Sequence, residues 1–249
     1  MEHMPGYDFT IDLGKDGRIG ARHYAPDRQY SLGVTYVMAP GAGVGHDSKF
    51  LVTFGELLSE RGLDVITFNF PFLQRGAKRP DGMPKLERCY LEVMKRVATT
   101  PALASQPLIV GGKSMGGRIA SFIAARDSDG FEQPIAGLIF LGYPLHPPQR
   151  PEQLRVVHLP DVKVPMLFVQ GTRDPFGTPL QLEPVLTTLD TPWHIHRVMG
   201  GDHSFTLPRK WTGAEPQLFD AAARAIAEWV TTEILKRGGG GHDGGQDGH

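Results

Sequence analysis

The chain has a single cysteine, Cys89, in 249 residues. That excludes an internal disulfide and a cysteine-built metal centre, and it leans towards a reducing compartment. No apolar run approaches the ~18 residues that a membrane span needs. The first residues, Met1–Asp8, have no apolar core of the kind a secretory signal carries. Net charge is also scarce: a balance of −1 leaves no electrostatic footprint for nucleic acid or an anionic membrane surface. These absences lead to the expectation of a soluble, cytoplasmic protein that holds no metal or cofactor and acts on a small molecule. They say nothing of its oligomeric state.

What is present is an ordinary globular composition, 40% hydrophobic and 21% charged, at a length suited to one large α/β domain. That domain is expected over residues 1–237. From Gly238 to His249 the chain is rich in Gly, Asp and His. Such a stretch cannot bury apolar surface and is expected to be disordered, with His242 and His249 read as tail rather than as metal ligands.

Apolar runs alternate with helical patterns along the chain. Residues 7–25 read as an antiparallel hairpin at a sheet edge, with turn chemistry at Lys15-Asp16-Gly17. Residues 33–39, 64–70, 107–112, 136–142 and 164–171 read as strands, the near-continuous apolar ones as buried on both faces. Trp193–Met199 alternates as a further strand. Phe50, Leu51, Phe54, Leu57 and Leu58 share one helical face, with Asp47 or Ser48 available as cap and Gly62 as stop. A helix is predicted through Leu86, Cys89, Tyr90, Val93, Met94 and Val97, which makes Cys89 a buried structural thiol. Residues 71–84 read as a loop whose Arg75, Lys78 and Arg79 form a solvated rim. A short helix is predicted over 179–188 and a last one over 216–236. The pattern gives a mostly parallel sheet covered by helices on both faces. Residues 151–163 are too few for a cap domain, so the cleft is expected to be open and shallow.

The chemistry concentrates around Gly112-Lys-Ser-Met-Gly116, which joins a buried apolar run directly to a helical pattern. This is G-x-S-x-G in the strand–turn–helix setting that the motif requires. A tight turn there lifts Ser114 clear of its neighbours and strains its backbone. Gly112 and Gly116 flank it because side chains would strike the adjacent strand and helix, and the N–H of Met115 points at a developing oxyanion. The competing phosphate-loop pattern fails, because Pro107 stands where it needs glycine. A second oxyanion donor is expected in Pro40-Gly-Ala-Gly43, on Ala42, with Gly41 and Gly43 as alternatives and as substrate-binding candidates. His46 reads as part of a solvated loop or of the site wall. The loop Tyr143–Arg150 lies past a strand end, where open parallel sheets bind ligands, which makes Tyr143 and His146 candidate substrate contacts.

Asp174 and His203 also fall just past strand ends. Ser114, Asp174 and His203 stand in the chain order of an α/β-hydrolase triad, as nucleophile, acid and base. Asp202 is the rival acid, but neighbours on one turn do not easily reach triad geometry. His194 and His196 lie inside a strand, and His146 and His158 lack an acidic partner at a strand end.

On Pro40-Gly-Ala-Gly, Gly112-Lys-Ser-Met-Gly-Gly-Arg118, Leu141-Gly-Tyr-Pro-Leu-His-Pro-Pro148, Gln170-Gly-Thr-Arg-Asp174 and Gly201-Asp-His-Ser204, the chain resembles the dienelactone-hydrolase-like branch of the α/β hydrolases. It is most similar to the group around the α/β-hydrolase-like domain of NSL-complex regulatory subunit 3. Dienelactone hydrolases proper use a cysteine where this chain has Ser114, and relatives of the group often carry histidine at the position of Pro40. The resemblance implies cofactor-independent hydrolase chemistry on an ester, thioester or related acyl bond. Some larger relatives serve as complex subunits, so a non-catalytic interaction module is the alternative.

Overall fold

The computed structural model describes residues 6–103, 107–126, 134–209 and 214–236. The tail from Gly238, with His242 and His249, lies outside them. The described chain runs through β1 (Tyr7–Asp12), β2 (Arg18–Tyr24), β3 (Val34–Ala39), α1 (Lys49–Ser59), β4 (Leu63–Phe68), α2 (Pro71–Gln74) and α3 (Met83–Ala98). It continues through β5 (Leu108–Lys113), α4 (Met115–Ala125), β6 (Ile135–Leu141), β7 (Met166–Gly171), α5 (Pro179–Leu186), β8 (Trp193–Val198) and α6 (Glu215–Trp229).

The strands form one eight-stranded sheet in the order β1-β2-β4-β3-β5-β6-β7-β8. From β4 to β8 every pairing is parallel, and the β1–β2 hairpin joins the edge antiparallel to β4. The unbroken apolar strands follow from this placement. In β7, Met166 and Phe168 pack into the core on one face, while Leu167 and Val169 pack into the core on the other. In β3, Val37 and Ala39 face the side of α3 and α4, whereas Val34, Tyr36 and Met38 face that of α1 and α6. A strand covered on both faces has no polar side to present, so its sequence does not alternate.

Local departures from the sequence reading have physical causes. Ser48 occupies the N-cap of α1, but its buried hydroxyl finds no partner, so the cap is positional only. The segment 71–84 contains the short helix α2, which Pro71 starts as its first residue. Arg75, Lys78 and Arg79 are exposed there, and Arg75 meets Asp81 at 2.8 Å. Cys89 is buried against the core, and burial pushes its thiol pKa far up. The last helix ends in a π-helical turn over Val230–Leu235, which keeps Val230 and Ile234 in the core beside Trp229. No described helix is long and apolar enough to cross a membrane.

Candidate active site

β5 delivers Ser114 at the carboxyl edge of the sheet. Its backbone is strained, with φ 50° and ψ −113°, one of only three non-glycine residues among those described with positive φ. The strain persists because neighbouring backbone closes in on both flanking positions. A Cβ at Gly112 would overlap the carbonyl of Ala39, and one at Gly116 would lie 2.6 Å from the carbonyl oxygens of Ala39 and Pro40. Only glycine lets the elbow sit this close to β3.

The Ser114 hydroxyl donates to His203 Nε2 at 2.8 Å, and His203 Nδ1–H donates to Asp174 Oδ2 at 2.7 Å. Residues 89 and 29 positions apart in sequence thus form one continuous relay. Asp174 is buried, its side chain fully so, and its other oxygen accepts from the N–H of Phe176 at 2.8 Å. The Phe176 ring lies 4.3 Å from the imidazole, centroid to centroid, and limits its rotation.

Two supporting residues escaped the sequence reading. Gln170 is buried in β7 and donates to Asp174 Oδ2 at 2.9 Å, to the carbonyl of Gly177 at 2.6 Å and to that of Tyr143 at 3.2 Å. Its own oxygen accepts from the Tyr143 N–H at 2.7 Å, so the side chain fastens the acid to the next loop. The signal was available: a lone amide at the end of Met-Leu-Phe-Val-Gln, inside a strand with no wet face. Lys113 is the second. Its buried ammonium donates to the His203 carbonyl and lies 5.2 Å from the Phe50 ring centroid. Burial lowers its pKa to about 8, against the opposing pull of Asp174 and Asp202.

A cleft of about 430 Å³ opens over Ser114 and His203. Gly41, Ala42, Gly43 and Met115 line it, and Met115, as the first residue of α4, has a backbone N–H that no carbonyl inside the helix can accept. Tyr143 and His146 do not line it. Tyr143 is buried with its hydroxyl donating to the Arg155 carbonyl at 2.6 Å, and His146 is folded back on the Pro147 carbonyl at 2.9 Å. Pro144 of this loop and Arg155 beyond it line the cleft instead, while the flat Tyr143 ring is drawn into the core against Phe140 and Phe168. His46 takes neither expected place: it is half-buried against Gly20 with its N–H bonded to Asn69 Oδ1.

The rival residues are occupied elsewhere. Asp202 Oδ1 accepts from the N–H groups of Ser204 at 2.8 Å and Thr206 at 3.0 Å, which closes the turn that carries His203. His158 Nε2 meets Ser121 Oγ at 2.7 Å, but that hydroxyl donates to the Arg118 carbonyl at 2.8 Å, so the histidine is the donor and no activated serine results. His194 and His196 sit on the edge strand β8. A larger groove of about 640 Å³ between α1 and the start of α6 contains none of Ser114, Asp174 and His203.

Known proteins share this architecture. The dienelactone hydrolase from Anabaena variabilis superposes with a TM-score of 0.68 at 18% identity, covering 94% of this chain and 100% of its own. An α/β serine hydrolase homologue from Coxiella burnetii gives 0.69 at 21% identity, over 91% and 100%. A lidless α/β serine hydrolase from Xanthomonas campestris gives 0.68 at 20%, over 92% and 97%. At such identities the likeness concerns the fold. The sequence signature of the alpha/beta hydrolase domain family spans residues 33–231, and the chain belongs to that family.

Proposed function

We propose that the protein is a serine hydrolase that cleaves an ester, thioester or related acyl bond through an acyl-enzyme, with Ser114, His203 and Asp174 as its triad. The observation that carries this reading is the unbroken relay from Ser114 Oγ through His203 to Asp174, at 2.8 and 2.7 Å, on a strained nucleophile. In the first half-reaction Ser114 Oγ bonds to the substrate carbonyl carbon while its proton passes to His203 Nε2. The N–H groups of Met115 and Ala42 receive the negative charge that develops on the carbonyl oxygen. The C–O or C–S bond then breaks, and His203 returns the proton to the leaving alkoxide or thiolate. In the second half, His203 takes a proton from water, the hydroxide oxygen attacks the acyl carbon, and Ser114 leaves with its proton restored. Asp174 holds the imidazole tautomer and stabilises the imidazolium throughout.

Within the family, the motif residues favour a place near the group around NSL-complex regulatory subunit 3. The open cleft, with no cap segment over it among the described residues, favours small or exposed acyl groups. The reading is tested by hydrolysis of 4-nitrophenyl acetate and butyrate, with fluorophosphonate labelling, in wild type and Ser114→Ala. Turnover and label in wild type, both lost in the variant, are expected. A wild type that neither turns over nor labels points to the non-catalytic interaction module instead.

A further inference from the structure

The cleft is unusual in its charge. Besides the glycine loop, Ser114, Met115 and His203, it is lined by three cationic side chains, Lys113, Arg118 and Arg155, and by no acidic one among the described residues. Lys113 is committed to the His203 carbonyl. The two arginines are not committed. Arg118 lies one helical turn beyond Ser114 on α4, its N–H donating to the Ser114 carbonyl at 3.1 Å, so its side chain rises on the same face as the nucleophile. Its guanidinium rests 5.1 Å from the Phe122 ring centroid, and its Nε is buried without a partner. Arg155 is fixed at its backbone, where its N–H donates to Leu145 and its carbonyl accepts from the Tyr143 hydroxyl. Burial lowers the Arg155 pKa, and the like charge of Arg118 presses it further down.

No described carboxylate pairs with either guanidinium, although arginines elsewhere in the molecule, such as Arg22 and Arg126, find one. Two like charges held beside each other, one with a buried unmet donor, are an unfavourable arrangement that an anionic ligand would relieve. A planar guanidinium pair matches a carboxylate in fork geometry. Building on the serine-hydrolase reading, we propose that Arg118 and Arg155 clamp a carboxylate carried by the substrate, so that the enzyme selects anionic esters or thioesters over neutral ones.

The test compares kcat/KM for two matched pairs, each normalised to its uncatalysed hydrolysis. One pair places the charge on the acyl side: mono-4-nitrophenyl adipate against its methyl ester. The other places it on the leaving group: 4-acetoxybenzoate against methyl 4-acetoxybenzoate. A preference for the anion of roughly 10- to 100-fold in one pair is expected, and that pair identifies the side of the scissile bond that the arginines face. The preference should fall about tenfold in Arg118→Gln and in Arg155→Gln, recover in part in the lysine variants, and weaken with added salt. Fluorophosphonate labelling of Ser114 in each variant establishes that the elbow is intact. A ratio near unity in both pairs, or one that survives both glutamine variants, overturns the clamp while the hydrolase reading stands. Absence of all ester turnover and of labelling in wild type overturns both.

Discussion

The ammonium of Lys113 donates to the backbone carbonyl of His203, so the residue before the proposed nucleophile holds the loop that carries the proposed base. The link has a thermodynamic cost. Lys113 is held buried with its pKa lowered from 10.5 to about 8. A group whose pKa is lower in the fold than in the unfolded chain makes stability rise with pH between the two values, because only the unfolded chain keeps the proton there.

Wild type should therefore gain about 2 kcal/mol over Lys113→Met between pH 8 and pH 9.5, read from urea midpoints of both proteins at the two pH values. A difference that stays flat means that the lysine is not held as described. At neutral pH the same variant should lose roughly 10- to 100-fold in kcat, since the loop that carries the imidazole then loses its tie to the elbow.

Asp174 and Asp202 separate cleanly. Asp174→Ala should cut kcat on the order of 10⁴-fold, with the wrong tautomer left free to form. Asp202→Ala should keep kcat within about tenfold and instead lower stability by about 1 kcal/mol, because two N–H groups lose their acceptor. The reverse ranking in a side-by-side assay and thermal melt would reassign the acid.

Gln170→Leu should act on both stability and rate. It strips a hydrogen bond from Asp174 and leaves the Tyr143 N–H and the Gly177 carbonyl buried without their partner. A loss of about 3 kcal/mol in unfolding free energy is expected, together with a fall in kcat that exceeds any change in KM. A variant with wild-type kcat would show that Asp174 needs no support from β7.

The elbow turn, the mostly parallel sheet and the strand-end positions of Ser114, Asp174 and His203 were legible in the sequence because each rests on a local constraint. Gly112 and Gly116 are required by backbone approach, and the doubly buried strands reveal themselves by having no polar side. The cleft walls were not legible. Whether Tyr143 or Arg155 faces the cleft depends on which of the two side chains the core draws in, and nothing in the sequence between them specifies that. Gln170 and Lys113 were visible only as polar residues at the ends of buried strands. Gln170 ties Asp174, 4 positions on, to Tyr143, 27 positions back, and Lys113 reaches His203, 90 positions on, in loops whose path no local pattern sets.

His158 gives a pH prediction that does not require catalysis. Its ring is stacked on Phe122 at 3.8 Å and donates to Ser121, and burial, reinforced by the nearby Arg118 charge, lowers its pKa to about 4. The unfolded chain takes up this proton near pH 6.5, whereas the fold resists until about pH 4. Stability from this site is thus complete above pH 6.5 and declines by about 3 kcal/mol as the pH falls to 4. His158→Gln retains a donor for Ser121 and cannot titrate, so its unfolding free energy should fall less steeply over that window. Parallel curves for the two proteins, measured by urea denaturation at intervals between pH 7 and 4, would mean that His158 charges freely in the fold and that its stack on Phe122 is not closed to water.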